Sequence, residues 1–296
     1  MSCTSITVIF SPYHVGIRDH RVGNGPNRIM SLGVVSQLES LGVPVKVVEI
    51  LHVDQFEGEI GRSFEVLRRI STAVSTARAS QSFPLILAGN CMSSAAVVAG
   101  LGIRDLGFVY FDAHDDLDSP DVNENGYFDA MGLSMLRGES WKTLMNSVPG
   151  YRPMELRDKF VYCGLRDLSE VQRQRVKDVG MDVIWGDATK KVDFKAALEA
   201  ALERKNFSPA LVHLDLDVLD ESLGNVNDYP SPGGMYEEEL VVCLGLVPKK
   251  ATPASLTVCS FDPDTGDGDK IAKIGIRAIT TFLKGMQETG ALSRSN

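Results

Sequence analysis

The chain has 296 residues, of which 44% are hydrophobic and 23% are charged, a composition typical of a folded globular protein. Its 30 basic and 39 acidic residues give a formal net charge of -9, which disfavours nucleic acid as the main partner because an acidic surface repels phosphate. No apolar run reaches the roughly 18 residues of a bilayer-spanning helix, so no membrane partner is expected. The five cysteines have no regular spacing, which favours free thiols and a reducing, cytoplasmic setting.

Short apolar, β-branched runs alternate with helical patterns along the chain. The predicted strands are residues 6–10, 45–50, 84–88, 106–111, 159–163, 181–185, 211–215 and 255–259. The predicted helices are residues 27–41, 63–79, 93–101, 168–179, 194–205, 237–246 and 269–289. This alternation predicts one α/β domain over residues 1–296, with three α/β/α layers and a mostly parallel sheet. Residues 115–127 and 220–234 lack both patterns, and loops of that length are usually functional or disordered.

Ionisable residues follow two of the predicted strands at the point where each strand ends. They are Asp112, His114 and Asp116 after the fourth strand, and Asp215 and Asp217 at the end of the seventh. Alternate residues of an extended chain share a face, and ligands bind beyond the carboxyl ends of parallel strands, so these side chains are expected to converge. Buried charges at this density require a cation. Carboxylates with one imidazole suit Mn²⁺ or a similar ion, and a carboxylate can bridge two ions.

At these motifs the sequence resembles the arginase/agmatinase family, the ureohydrolases. Residues 112–116 match the family's Asp-Ala-His-x-Asp, and residues 213–220 align with its second metal motif, Ser-x-Asp-x-Asp-x-x-Asp. Residues 88–91, Ala-Gly-Asn-Cys, stand where the family has Gly-Gly-Asp-His, and residues 233–235 match its Gly-Gly-Leu. The resemblance covers nearly the whole chain in order, and implies an arginase-like fold, a small-molecule substrate and a homo-oligomer, either a trimer or a hexamer.

The resemblance also implies a two-manganese site that activates water for attack on a guanidinium carbon, with release of urea. By position, Asp112 and Asp215 would bridge both ions. Asp116 and residue 91 would complete the shell of one ion, and His114 and Asp217 that of the other.

Position 91 is Cys where most of the family has His. A thiolate is a softer ligand, so as a metal ligand Cys91 would improve the binding of Zn²⁺ or Fe²⁺ relative to Mn²⁺. Two other interpretations stay open: Cys91 packs as a small buried residue without metal contact, or one ion is weakly held or lost. A hydroxyarginine-cleaving ureohydrolase of antibiotic biosynthesis is similar in having Cys here and a pair like Gly126-Tyr127, which favours a role in specialised metabolism. Cys163, Cys243 and Cys259 are predicted to be core residues.

The candidate catalytic residues also depart from the arginase pattern. Where arginases use Asn, Ser and a proton-shuttling His, this chain has Asp118, Asn125 and Asp129. Asp118 and Asn125 are candidate substrate contacts. Asp129 is a candidate proton carrier, although an ordinary carboxyl pKa near 4 makes it a poor acid at neutral pH. Asp115, within the first metal motif, is the second catalytic candidate.

Two further positions concern the substrate. Ser260 stands where the family has a Glu that pairs with the guanidinium, so a charge-assisted anchor is missing. His14 lies in the loop after the first strand and is predicted to be solvated or, alternatively, to contact substrate at the pocket mouth. The sequence therefore predicts a metal-dependent hydrolase of a linear C–N bond in a guanidino, hydroxyguanidino or related amidine compound. The alternatives are an amide-cleaving metallohydrolase on the same fold and a catalytically weak member with a structural or regulatory role.

Overall fold

Ten strands and ten α-helices are present in the computed structural model, which describes residues 2–54 and 58–294. The strands are β1 (Ser5–Ser11), β2 (Tyr13–His14), β3 (Ile17–Arg18), β4 (Val45–Glu49), β5 (Ser82–Ala88), β6 (Gly107–Phe111), β7 (Phe160–Leu165), β8 (Asp182–Trp185), β9 (Ala210–Asp215) and β10 (Pro253–Cys259). The helices are α1 (Asn24–Ser31), α2 (Val34–Glu39), α3 (Glu59–Ala79), α4 (Ser93–Leu101), α5 (Gly132–Leu136), α6 (Lys142–Met145), α7 (Glu170–Val179), α8 (Phe194–Lys205), α9 (Glu237–Lys250) and α10 (Gly268–Glu288).

Eight strands form one sheet in the order β4-β1-β5-β10-β9-β6-β7-β8, and every neighbouring pair is parallel. Helices cover both faces, because α1, α2, α8, α9 and α10 pack in one apolar core and α3 to α7 in the other. In β5, Leu85 and Leu87 face the first core and Ile86 the second, which is why the strand is apolar throughout. The predicted three-layer α/β/α fold with a parallel sheet is confirmed.

All eight predicted sheet strands are confirmed, with ends within two residues of those expected. The single helix predicted over residues 27–41 is wrong: α1 and α2 are separate helices, because Gly33 between them adopts a left-handed φ of 84°. The hairpin of β2 and β3 and the short helices α5 and α6 were not predicted, since elements this short carry no readable periodicity.

The strand order places the chemistry of the molecule at one edge of the sheet. β5, β10, β9 and β6 are consecutive neighbours at its centre, and the chain leaves all four at their carboxyl ends on the same side. The two predicted loops, residues 115–127 and 220–234, contain no α-helix or strand and line a cavity above this edge. Within the described ranges, no helix is long and apolar enough to cross a membrane.

Candidate metal centre

Three overlapping groups of donor atoms lie at the carboxyl ends of the central strands, and one of them joins Cys91 to His213, Asp215 and Cys259. The outer group is Asp112, His114 and Asp217, and the inner group is Cys91, Asp112, Asp116 and His213. Within each group, one donor atom per residue lies within 4.8 Å of all the others. Asp215, at the end of β9, directs Oδ2 towards Cys91 Sγ at 2.7 Å. The structure thus brings together every metal-ligand candidate predicted from sequence.

His114 is held between two carboxylates in the outer group. Its Nδ1 lies 3.2 Å from Asp217 Oδ2, and its Nε2 lies 3.3 Å from Asp167 Oδ2. Burial lowers the pKa of His114, but the carboxylates outweigh it and raise the pKa well above the usual range. A carboxylate on the far ring nitrogen is the usual support of a metal-binding histidine. Asp167, which the sequence analysis did not select, fits that supporting position.

The inner group has the properties of a cation site. Asp112 is fully buried, its Oδ1 accepts the His114 N–H at 2.8 Å, and its Oδ2 has no hydrogen-bond partner among the described residues. Burial, followed by the charges of Asp112 and Asp129, raises the pKa of Asp116 well above the usual carboxyl range. Unpartnered buried oxygen and crowded carboxylates are costly unless a cation binds there. These residues therefore fit the two ions that the donor geometry accommodates.

Two site residues have unfavourable backbone conformations. Asp116 and Ser260 adopt left-handed φ values of 52° and 61°. Such conformations cost about 1–3 kcal/mol for a residue with a side chain and concentrate at functional sites. Hydrogen bonds hold both, from Leu133 N–H to the Asp116 carbonyl at 2.9 Å and from Ser260 N–H to the Gly89 carbonyl at 2.9 Å. The surrounding fold thus holds both residues in place at the site.

Cys91 follows β5 and faces the carboxylates. Its Sγ lies 2.7 Å from both Asp215 Oδ2 and Ser260 Oγ, and the residue is 7% exposed. Cys91 is therefore buried beside the ligand candidates, and the interpretation that it packs there without metal contact stays open. Whether the thiolate binds metal stays a prediction.

Asp115 and Asp118 are both bound to an arginine. Arg175 Nη2, from α7, lies 2.8 Å from Asp115 Oδ2 and 2.5 Å from Asp118 Oδ1. Asp118 Oδ2 also accepts from Asn123 Nδ2 at 2.8 Å, and the nearby Asn125 uses its side-chain oxygen to accept the Tyr127 N–H at 2.9 Å. Through these contacts Asp115 and Asp118 support the loop; a catalytic role for Asp115 and a substrate contact of Asp118, which lines the cavity described below, stay predictions.

A cavity of about 280 Å³ opens above the two donor groups. Aromatic rings form part of its wall: Tyr127 lies 6.2 Å from His14 and 5.8 Å from Tyr229, between ring centroids. Asn125, Asp129 and Ser260 also line it, with the ligand candidates at its floor. The cavity therefore brings the substrate candidates of the sequence analysis to the metal-ligand candidates.

His14 is not in a solvated loop, so that expectation is wrong. It belongs to the hairpin of β2 and β3, is 6% exposed, and its Nδ1 has no hydrogen-bond partner among the described residues. Burial, with smaller effects from Arg21 and His20, lowers its pKa to about 4. His14 is therefore a neutral ring at neutral pH, with a free nitrogen beside the cavity.

Asp129 is more basic than a free carboxylate. Its Oδ2 accepts from Asn90 Nδ2 at 2.6 Å, and its Oδ1 accepts from the Met92 N–H at 2.9 Å. Burial raises its pKa to about 6, although these hydrogen bonds act in the opposite direction. The value near 4 assumed from sequence does not apply, because the residue is buried. Asp129 also fixes the two residues on either side of Cys91.

Sequence reasoning missed His213 and Cys259. Cys259 is a buried core residue, as predicted, and its Sγ also lies 3.9 Å from Cys91 Sγ and 3.6 Å from His213 Nε2. For His213 a usable signal existed, since it lies two residues before Asp215 on the same strand and therefore on the same face. For Cys259 there was none, because the neighbours of β10 are set by strand order.

Comparisons with known proteins agree with this geometry. The model of the Arginase family matches residues 5–284. The arginase of Brevibacillus brevis is 26% identical over 291 residues, which cover 94% of this chain and 97% of the relative. The crystal structure of the Bacillus subtilis arginase superposes with a TM-score of 0.84 at 23% identity, covering 94% and 98% of the two chains. The Bacillus subtilis formimidoylglutamase gives a TM-score of 0.71 at 16% identity, covering 97% and 88%. The chain therefore belongs to the arginase family, the ureohydrolases.

Proposed function

We propose that this ureohydrolase cleaves a linear C–N bond in a guanidino, hydroxyguanidino or related amidine compound of specialised metabolism. One observation carries the proposal: carboxylates and imidazoles from the ends of β6 and β9 converge with thiols from the ends of β5 and β10 at the floor of a cavity of about 280 Å³. A cavity of that size accommodates a small molecule. The family is binuclear, and the two donor groups supply ligands for two ions.

The charge of the cavity favours a cationic substrate. Nine aspartates line it, namely Asp115, Asp116, Asp118, Asp129, Asp167, Asp215, Asp217, Asp228 and Asp262. Among the described lining residues, Arg21 is the one Lys or Arg side chain, and it is paired with Asp228 at the rim. Two dications at the floor neutralise part of this charge, and the remainder attracts an amidinium or guanidinium group.

Two divalent ions bound here lower the pKa of water, so that a nucleophile is available at neutral pH. The oxygen and nitrogen donors of the outer group suit Mn²⁺. Asp129 is mostly ionised at neutral pH, but its pKa of about 6 is close enough to the working range of a general acid or base for it to accept and return a proton. His14, being neutral, hydrogen-bonds a substrate without repelling its positive charge.

The residues around Ser260 disfavour plain arginine. Ser260 is 4% exposed and its neutral hydroxyl lies 2.7 Å from Cys91 Sγ, so this position offers no anion to a guanidinium group. Loss of one charge-assisted hydrogen bond costs about 1.5–3 kcal/mol, roughly one to two decades in kcat/KM. A hydroxyguanidino group is a weaker base and depends less on such an anchor.

The proposal is tested with a panel of guanidino, hydroxyguanidino, amidino and amide compounds, measuring release of urea, ammonia and acid. We expect turnover within the first three classes and little with arginine. Asp112→Ala and Asp215→Ala should lose both metal and activity, because without either carboxylate the remaining buried carboxylates have no bound cation to balance their charge. Full metal stoichiometry in either variant, or turnover of amides alone by the parent, contradicts the proposal.

Ser260→Glu restores the missing carboxylate, and Ser260→Gln is its neutral control of equal size. The Glu variant should raise kcat/KM for arginine roughly 10–100-fold relative to the Gln variant. Equal arginine kinetics in the two variants would show that Ser260 does not determine substrate choice.

Assembly and location stay predictions. A trimer or hexamer follows from the family resemblance and is checked by light scattering. All five cysteines, each within the described residues, are free thiols, which accords with the cytoplasmic setting predicted from composition.

A further inference from the structure

Four buried donors surround one point beneath the cavity floor. They are Cys91, His213, Asp215 and Cys259, each at most 7% exposed, and one donor atom of each lies within 4.8 Å of the other three. Cys259 lies outside both metal motifs of the sequence, and His213 stands at the position that is Ser in the second motif. This set shares Cys91 and His213 with the inner group, but it has the second sulfur of Cys259 and one oxygen of Asp215 in place of the oxygens of Asp112 and Asp116.

The spacing of these donors approaches that of a tetrahedral zinc site. Zn–S bonds of about 2.3 Å and Zn–N bonds of about 2.05 Å give tetrahedral edges of about 3.8 Å between two sulfurs and about 3.6 Å between sulfur and nitrogen. The observed distances are 3.9 Å from Cys91 Sγ to Cys259 Sγ and 3.6 Å from Cys259 Sγ to His213 Nε2. The 2.7 Å from Cys91 Sγ to Asp215 Oδ2 is a thiol hydrogen bond, which must widen to about 3.5 Å when an ion replaces the proton.

Contacts of Nδ1 and of the ring face fix the orientation of the His213 side chain. Its Nδ1 lies 2.8 Å from Ser94 Oγ, and its ring stacks on Tyr110 with the centroids 4.1 Å apart. These contacts leave Nε2 directed between Cys259 and Asp112, at 3.6 Å from Cys259 Sγ and 3.6 Å from Asp112 Oδ2. A hydrogen bond on the far nitrogen and a packed ring are the features that orient metal-binding histidines in proteins.

Main-chain pairing fixes the other donors. Cys259 of β10 is the register partner of Asp215 of β9, and His213 is the partner of Thr257. Three of the four donors therefore come from two hydrogen-bonded strands rather than from mobile loops. Ligands on rigid elements keep their geometry without a metal, which is what a selective site requires.

We propose that the inner ion is held by the thiolates of Cys91 and Cys259, the imidazole of His213 and the carboxylate of Asp215, and that this site selects Zn²⁺ over Mn²⁺. Thiolate ligands favour zinc, whereas the oxygen-rich outer group favours manganese, so the centre is heterobinuclear. Binding displaces the two thiol protons to solvent. The inference deepens the proposed two-ion hydrolase and rests on it for the presence of the outer ion.

The test is metal binding rather than turnover. Metal-free protein is titrated with Co²⁺, whose thiolate charge-transfer absorption reports the number of bound sulfurs, and with Zn²⁺ in competition with a chelator. We expect two thiolates per inner ion in the parent and one in Cys259→Ser, with a zinc Kd raised more than about 100-fold. That exceeds the 10–100-fold that loss of an outer-shell partner causes. Cys243→Ser, which alters another fully buried cysteine, serves as the control and should match the parent.

The outcomes separate the inference from the proposed function. One thiolate or none in the parent, or a zinc Kd in Cys259→Ser within tenfold of the parent, overturns the inference even if urea is released normally. Two thiolates without any C–N hydrolysis would instead contradict the proposed function and leave the inference standing. His213→Ser, which introduces the Ser of the family motif, should also raise the zinc Kd while both thiolates remain. Since the parent spectrum decides the thiolate count, a variant that fails to fold leaves the test intact.

Discussion

The side chain of Arg166 supports the loop that carries Asp217, and replacing it should damage both stability and metal binding. Arg166 is 9% exposed, and its guanidinium group is surrounded by main-chain carbonyls. Its Nη1 and Nη2 donate to the carbonyls of Gly164, Asp217, Val218, Leu219 and Ser231 at 2.9–3.3 Å. Three of these acceptors are consecutive, so one side chain fixes the turn that directs Asp217 into the outer group.

The expected loss of stability follows from these five hydrogen bonds. A hydrogen bond with a charged donor contributes about 1.5–3 kcal/mol, but the five bonds share one guanidinium and are not additive. Arg166→Met leaves the carbonyls partly buried and unpaired, so we expect a loss of about 3–5 kcal/mol in the free energy of unfolding. Arg166→Lys keeps the charge without the planar fork and should lose about 1–3 kcal/mol.

Urea unfolding of the metal-free variants measures the first effect, and metal titration of the folded variants measures the second. The outer ion should bind roughly 10–100-fold more weakly in Arg166→Lys, because Asp217 is no longer held in place. Arg204→Met is the control, since that side chain is 61% exposed and pairs with Asp182 at the surface. If Arg166→Met loses less than about 1 kcal/mol and binds the outer ion like the parent, the cage has no supporting role.

Three further predictions concern the surroundings of the site. The pKa of His14 is about 4 in the folded protein and about 6.5 when unfolded, so the unfolded chain takes up the proton first. The free energy of unfolding should therefore fall by about 1–2 kcal/mol as the pH drops from about 6.5 to 4, after allowance for solvent in the cavity. His14→Gln should remove that part of the pH dependence of stability. Arg175→Met leaves Asp115 and Asp118 buried without a counter-charge, and should lower the free energy of unfolding by about 3–5 kcal/mol. Gly89→Ala places a Cβ 2.1 Å from the Tyr13 carbonyl oxygen, so the turn before Cys91 must shift and the melting temperature should fall.

The controls differ among the three. For His14, urea unfolding of metal-free parent and variant is compared at pH 7 and pH 4.5, and parallel losses of stability would refute the assignment. For Arg175, Arg175→Lys should recover part of the loss; a Met variant as stable as the parent would show that the ion pair is dispensable. For Gly89, Gly42→Ala is a poor comparison because φ is positive there, whereas Gly58→Ala meets nothing within 4 Å. Equal melting temperatures for Gly89→Ala and Gly58→Ala would contradict the steric argument.

The sequence by itself determined the sheet strands and the two carboxylate motifs. Both are local patterns. A strand that is buried on two faces is apolar throughout, and side chains at a strand end point alternately to the two faces, so every second residue shares a face. The same locality explains the errors: a left-handed Gly33 divides a helix that periodicity joined, and two-residue strands carry no periodicity.

Tertiary structure alone decided which distant residues meet at the site. Cys91 and Cys259 are 168 positions apart, and their contact exists because β5 and β10 are neighbours in the sheet. The Arg175 partner of Asp115 lies on a helix 60 positions away, and the pKa of Asp129 rises because the folded chain buries it. Contacts and burial of this kind depend on strand order and layer packing, which no local pattern encodes.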